Sequence, residues 1–381
     1  MPSGDERADL IVFHGRGGVS GPERLVVGAQ QASVRQLLAD ASGAGCFRRI
    51  ALATNDATFA AEQAGAYPAL VVVLTRDAIV FGEQLRVIAR QLGAAAIVYV
   101  GGGSAPLLDV AGLRQLVAAV DEPGWVSANN FLSSDWVAFR PASALDRTDP
   151  IRTDNDLAWR LHHDAGLARV VGEPTLVGTL DIDTPTDLAL LRRAPGVPPL
   201  LAAYLAAHAP ELPALAAVER VMADPYRTLI VAGRVNTTIW ARVEREVSFM
   251  KRLFVEERGM RANGRQARGE VRTLLATLLH EVGPVRFFAL LAELGDALVF
   301  DTRPLFAQLA PHLSAVDRFA SDLLRPDLIA DPFARDFTAA ARDTPLPVVL
   351  GGHALVTGGL WLLATRANRA KAEAAIGGGV D

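Results

Sequence analysis

Ala95-Ala96-Ile97-Val98-Tyr99-Val100-Gly101-Gly102-Gly103-Ser104-Ala105-Pro106-Leu107-Leu108 is the stretch on which the fold turns. Six apolar residues run into three glycines, so a buried strand is expected to deliver the chain to a loop with little side-chain bulk. The same pattern recurs upstream. Residues 10–14, 50–54 and 70–74 read as strands, separated by helical patterns at 33–41 and 82–92. Strands that alternate with helices form parallel sheets with helical crossovers, so the expected class is α/β with a doubly wound, mostly parallel sheet. Downstream, residues 126–128, 136–139 and 175–180 read as further strands. Residues 154–166 and 186–193 read as helices.

Composition shifts at Ala194-Pro195-Gly196-Val197-Pro198-Pro199, where three prolines and a glycine cannot continue a helix. The expected organisation is a first domain over residues 1–194, a linker at 195–199, and a second, mainly helical domain over 200–381. In that second part, 237–257, 270–281 and 332–342 are the clearest helical segments, and 297–300 and 348–350 are short strand candidates.

Bulk chemistry narrows the function classes. The chain has 381 residues, half of them apolar, and a formal charge of −4. That balance gives no reason to expect a nonspecific polyanion binder. Arginine and glutamate mix at helical spacing over 242–268, which reads as an ion-paired, solvated face and not as a nucleic-acid surface. A single cysteine, Cys46, excludes an internal disulfide and a cysteine-rich metal site. Residues 346–364 are long and apolar enough to suggest a membrane span. The glycines, His353 and two leading prolines favour a buried strand, loop and helix instead. With no basic leader before an apolar core at residues 1–9, the expected location is the cytoplasm, with no membrane partner.

Two motifs carry the chemistry. His14-Gly15-Arg16-Gly17-Gly18-Val19-Ser20-Gly21 follows the first strand, and its glycines can expose successive N–H groups to a phosphate. Asp181-Ile182-Asp183-Thr184-Pro185-Thr186-Asp187-Leu188 puts two carboxylates on one side of an extended segment just before a helix. Thr184 is suited to cap that helix, and Pro185 to occupy its first turn. Together with Gly101-Gly102-Gly103-Ser104-Ala105-Pro106-Leu107, these segments resemble the MobA-like nucleotidyltransferases. That family carries a Gly-Gly-Asp-x-Pro-Leu loop and closes with Asp-Ile-Asp-Thr-Pro-x-Asp-Leu.

The resemblance covers about the first half of the chain. It implies a GT-A-like sheet and transfer of NMP from an NTP to a small phosphorylated or hydroxylated acceptor, with release of pyrophosphate. Mg²⁺ or Mn²⁺ would accompany the NTP, held by Asp183 and Asp181. Arg16 and Arg24 would steady the phosphates, Arg24 standing where the family has lysine. Gly15, Gly17, Gly18, Asn55, Gly101, Gly102, Gly103, Ser104, Asn129 and Asn130 would line the nucleotide and acceptor sites. The chain departs from the family where Gly103 or Ser104 replaces the metal-binding aspartate. The alternatives are therefore a degenerate nucleotide or sugar-nucleotide binder and, more remotely, a GT-A-type glycosyltransferase.

Plainer readings exist for the remaining polar residues. Asp56 and Asp154-Asn155-Asp156 suit turns or helix caps, and Asn129-Asn130 suits a turn. In the second half, Asp301, Arg303, Arg318, Asp322 and His353 suit an Arg–Asp structural network. A sharper alternative there is an anion site in which Arg303 or Arg318 binds and His353 moves a proton.

Overall fold

The computed structural model describes residues 7–377, apart from 16, 19, 77–79, 132, 171–173 and 262. The chain forms two compact units. The first comprises Met1–Gly18, Val27–Asp181 and Gly196–Tyr204, and the second comprises Val19–Val26, Ile182–Pro195 and Leu205–Asp381. The division therefore falls inside the Asp181-Ile182-Asp183 motif and not after residue 194.

The first unit is built on strands β1 (Asp9–His14), β2 (Ile50–Thr54), β3 (Val71–Leu74), β4 (Ile97–Gly101), β5 (Trp125–Ala128), β6 (Trp136–Arg140) and β7 (Ala168–Val170). Their order is β3-β2-β1-β4-β6-β5-β7. All pairings are parallel except those of β6 with β4 and β5. This is the doubly wound, mostly parallel sheet expected from the strand and helix alternation. Both faces are covered. Leu10 and Val12 enter one core with Val34, Leu38 and Leu113. Ile11 enters the other with Leu85, Ile88 and Tyr99. Burial on both sides explains why the strands read as unbroken apolar runs.

The helix Phe81–Leu92 buries Phe81, Leu85, Ile88, Ala89 and Leu92, a helical spacing, and stops at Gly93, whose φ of 55° suits glycine. The first helix is longer than 33–41 and spans Gly21–Ala44. It begins with a reciprocal cap in which the Ser20 N–H donates to Glu23 Oε2 (3.2 Å) and the Glu23 N–H donates to Ser20 Oγ (3.3 Å). Residues 175–180 form a turn, and the strand in that region is β7. Residues 154–156 form a short 3₁₀ segment before the helix Leu157–His163.

The second unit is mainly helical, as expected, and also carries a four-stranded parallel sheet. Its strands are β8 (Thr228–Gly233), β9 (Met250–Val255), β10 (Ala297–Asp301) and β11 (Val348–Gly351), in the order β11-β10-β8-β9. The helix expected over 237–257 ends at Glu246, and the remainder contains β9. The strand is mostly exposed, with Lys251 and Arg252 on it, which is how an edge strand avoids further pairing.

Helix Pro332–Asp343 matches expectation, and Asp331 caps it by accepting from the Ala334 N–H (2.8 Å). The helix at Leu274–Leu294 is long and apolar enough to cross a membrane. It breaks at Gly283 (φ 74°) before Pro284, and it buries Leu275, Leu279, Phe287, Phe288 and Leu291 in the unit's core. Residues 346–364 resolve into β11, a 3₁₀ turn and the start of a buried helix.

Candidate functional site

In the first unit the strand order reverses between β1 and β4, and a parallel sheet opens a crevice outside the carboxyl ends of two such strands. His14 and Gly15 leave β1 at this point, and Gly101 to Ser104 leave β4. The two loops touch: a Cβ on Gly102 would lie 2.7 Å from His14 Nδ1 and 3.0 Å from the Phe13 carbonyl oxygen, so only glycine fits. Gly101 is equally constrained, because a Cβ there would come within 2.6 Å of Ser104 Oγ. A Cβ on Gly15 would meet open space, so its value lies in exposed backbone, not in packing. Gly17 packs on Val27.

The Gly101 to Ser104 turn closes with the Ser104 N–H donating to the Gly101 carbonyl (3.0 Å). The next residue, Ala105, holds φ at +45°, and it precedes proline, which disfavours that conformation further. Strain of this kind survives only where its surroundings fix it, and it concentrates at ligand-handling loops.

The loop between β5 and β6 reaches the same edge, because β6 runs antiparallel to β4. The Gly101 N–H donates to the Asp135 carbonyl (3.0 Å). Asn129 organises this loop: its Nδ2 donates to Asp135 Oδ2 (2.6 Å) and to the Gly178 carbonyl (3.2 Å), and its Oδ1 accepts from the Asp135 N–H (2.9 Å). Asn129 is therefore tied to protein groups, and Asn130 follows it in the same turn. Beneath them Tyr99 donates its hydroxyl to Asp154 Oδ2 (3.1 Å), so Asp154 anchors the loop floor instead of capping a helix. Burial, then the Asp154 charge, raises the Tyr99 hydroxyl well above its ordinary range, keeping it a donor.

Asp181 completes the edge. An isolated antiparallel bridge pairs it with Ser104, so the two motifs separated by 77 positions in the chain meet directly. Asp183, two residues on, is exposed, and its N–H donates to Asp187 Oδ2 (3.0 Å), as does that of Thr184 (2.7 Å). Burial, then the charge of Asp183, pushes the Asp187 carboxyl up to about 8. The helix Pro185–Leu191 is held in the second unit by Thr186, whose hydroxyl donates to the Leu350 carbonyl (2.7 Å).

Arg16 lies outside the described residues, as does Val19 beside it. Arg24 is exposed on the first turn of the Gly21–Ala44 helix and is grouped with the second unit. Gly18 and Gly103 lie in the two glycine loops, and Asn55 follows β2. Its neighbour Asp56 is a helix cap, accepting from the N–H groups of Thr58 (3.1 Å) and Phe59 (3.0 Å).

Sequence reasoning passed over His14 as a site residue. Its ring is buried edge-on against Phe59, and Nε2 has no hydrogen-bond partner among the described residues. Burial is the main reason its pKa falls to about 4, with Arg35 adding to the effect and Asp56 opposing it. The imidazole is therefore neutral at physiological pH. A polar residue ending a buried strand just before a glycine loop was the available signal.

No group of three or more His, Cys, Asp or Glu side chains able to hold a metal ion occurs among the described residues. Mg²⁺ and Mn²⁺ are oxygen-seeking, and Ser104 opposite Asp181 supplies only a neutral hydroxyl.

In the second half, the expected Arg–Asp network exists. Arg234 Nε donates to Asp301 Oδ2 (2.6 Å), and Arg303 Nη1 donates to Asp322 Oδ1 (3.0 Å), with both carboxylates fully buried. His353 is driven to about 4, chiefly by burial and then by Arg234, so it is neutral and unsuited to donating a proton at neutral pH.

The fold and edge define a doubly wound α/β protein with a switch point between β1 and β4 in its first unit. No family model matches the sequence, and no curated protein matches it. Among solved structures, the chain is similar to a nucleotidyl transferase from Methanothermobacter thermautotroptrophicus at 18% identity, over 49% of this chain and 96% of that one, with a TM-score of 0.37. It is similar to a putative nucleotide-diphospho-sugar transferase from Desulfovibrio desulfuricans G20 at 13% identity, over 53% and 97%, with a TM-score of 0.38. It is also similar to a cytidylyltransferase from Leptospira borgpetersenii at 14% identity, over 49% and 85%, with a TM-score of 0.37.

Proposed function

We propose that the first unit binds a nucleoside triphosphate at the carboxyl edge of β1 and β4 and transfers its nucleotidyl group to a small phosphorylated or hydroxylated acceptor. The observation that carries this reading is the convergence of His14, Gly101 to Ser104, Asn129 and Asp181 on one switch-point edge. Backbone N–H groups of the two glycine loops would face the phosphates, where the absence of Cβ permits close approach. Neutral His14 and Ser104 would add hydrogen bonds, and Asn129 would keep the β5–β6 loop in place for the acceptor. The acceptor oxygen would attack the α-phosphorus in line as the bond to the bridging oxygen of pyrophosphate breaks. Asp181 is the carboxylate here for a divalent cation arriving with the triphosphate, and no step is assigned to that ion.

A second reading, nucleotide binding without transfer, draws support from Ser104 standing where the resembled family has a carboxylate. One experiment separates them. Purified full-length protein is assayed for pyrophosphate release from each NTP with Mg²⁺ and a panel of sugar phosphates and alcohols, alongside calorimetric NTP binding in EDTA. Acceptor-dependent release supports transfer. Binding in EDTA without release supports the second reading, and neither binding nor release overturns both.

A further inference from the structure

The second sheet has its own switch point. Strand order β11-β10-β8-β9 places it between β8 and β10, where the chain leaves Gly233 for Arg234 and Asp301 for Thr302 and Arg303. The registers Gly233 with Val255 and Asp301 with Gly351 bring all four strand-end loops to this one edge. Gly233 must remain glycine here: its φ is +113°, and a Cβ would lie 2.6 Å from that of Asp301. The loop after β9 brings Arg258 and Arg261, and the helix Ala315–Asp322 brings Arg318.

The charges on this edge do not balance. Asp301 and Asp322 are committed to Arg234 and Arg303. Arg258, Arg261 and Arg318 have no carboxylate within ion-pair distance among the described residues. Glu256 and Glu257, which flank them in sequence, are turned to other work. Glu256 accepts from the Leu274 N–H (2.6 Å). Glu257 binds Arg265 through both oxygens (2.7 and 3.0 Å) and accepts from the Arg272 N–H (3.0 Å). Glu257 also holds a left-handed φ of +55°, so the loop is fixed in a conformation that non-glycine residues avoid. Of its five N–H donors, Arg261 spends one on Gln266 Oε1 (3.3 Å), and Arg318 gives one to the Leu313 carbonyl. Among the described residues these are the hydrogen bonds that the two guanidiniums make.

Arg258 and Arg261 are exposed and Arg318 is half-buried, and Arg318 lies one helical turn before Asp322, the partner of Arg303. Loss of hydration lowers the pKa of all three. Arg234 and Arg303 lower Arg261 further while Asp183 and Asp301 oppose them, and Arg303 and Arg261 lower Arg318 while Asp322 opposes them, so guanidiniums gather here with fewer carboxylates among them.

We propose that this edge is a binding site for a phosphate-bearing ligand of at least two negative charges, gripped by Arg258, Arg261 and Arg318 around the fixed Arg234–Asp301 and Arg303–Asp322 pairs. A phosphoryl group fits because its several oxygens accept guanidinium forks arriving from different loops, and its charge exceeds that of one carboxylate. The proposal does not depend on the nucleotide assignment of the first unit.

The test uses inorganic pyrophosphate as the probe, titrated calorimetrically into the full chain in EDTA, with melting curves in parallel. Wild-type protein binds at one site, more weakly as salt rises. Arg261→Gln and Arg318→Gln each weaken binding about tenfold to a hundredfold, the range of one charge-assisted hydrogen-bonded contact. Arg261→Lys falls between them and wild type, because it keeps the charge and loses the fork. Arg90→Gln, the same charge change on an exposed residue of the first unit, leaves binding unchanged. Without ligand, the two glutamine variants melt no lower than wild type, because each removes a repulsion. The proposal is overturned if wild-type protein does not bind at millimolar pyrophosphate, if the glutamine variants bind like wild type, or if citrate binds as tightly as pyrophosphate. It is also overturned if the unliganded glutamine variants melt lower, since that outcome makes the arginines structural.

Discussion

The two sheets of this protein place their buried Arg–Asp pairs at opposite ends. In the first unit, Asp9 opens β1 and is held by Arg48 at the amino edge, with Arg48 Nε donating at 3.1 Å, while the carboxyl edge carries glycine backbone, a neutral histidine, a serine and half-buried carboxylates such as Asp181. In the second unit, Asp301 closes β10 and pairs with Arg234 at the carboxyl edge, beside further arginines. On the proposed reading, one switch point would admit a ligand to its backbone and the other would neutralise one with side chains. Related sheet logic would then serve different ligand chemistry, with the loops deciding which.

The largest effect that bears on this contrast is expected from Asp301→Asn. Removing one partner of a buried pair leaves Arg234 uncompensated, which costs about 3–5 kcal/mol. Asp9→Asn makes the same change at the amino edge, where Arg48 also donates to the carbonyls of Leu92 (2.7 Å) and Gly93 (3.0 Å). Its loss is expected to be smaller, about 2 kcal/mol. Urea unfolding of both variants checks the order, and equal losses would remove the distinction.

Acid sharpens the comparison next. His14 falls from 6.5 to about 4, so between these values the unfolded chain binds the proton and the folded chain does not. Stability contributed by a neutral buried histidine is complete above pH 6.5 and is lost as pH falls toward 4, by at most about 3 kcal/mol. His353 acts with the same sign in the second unit. His14→Gln is expected to flatten this part of the stability-versus-pH curve for the first unit alone, measured by urea unfolding at closely spaced pH values.

Much of the first unit was legible because its strands are buried on both faces and its glycines end them. The meeting of Ser104 with Asp181 was implied by the motifs. What was not legible came from groups whose partners are remote in sequence. Asp154 looks like a helix cap until Tyr99 is seen to reach it across 55 positions. Asp187 looks like an ordinary helix residue until its carboxylate is seen to take the N–H groups of Asp183 and Thr184, and the Thr186 hydroxyl ties the same helix to Leu350 across 164 positions. β8 and β9 were missed for another reason. Short apolar or charged runs beside helical periodicity carry no period of their own long enough to separate strand from helix.

Smaller effects follow. Tyr99→Phe removes the hydroxyl that braces Asp154, and it is expected to cost about 1–2 kcal/mol and to loosen the Asn129 loop, read as faster amide exchange at Gly101 and Asp135. Glu62→Gln at the exposed Arg35 pair is expected to shift stability by less than about 0.5 kcal/mol, so a large loss there would mean that surface charge matters more than the edges do.

The central claim is tested most directly by a crystal structure of the full chain with a nonhydrolysable nucleoside triphosphate. The account predicts the triphosphate against the backbone of Gly15 and Gly101 to Ser104, within reach of His14 and Asp181. A nucleotide found only among Arg234, Arg261 and Arg303, with the β1–β4 crevice unchanged, would contradict it.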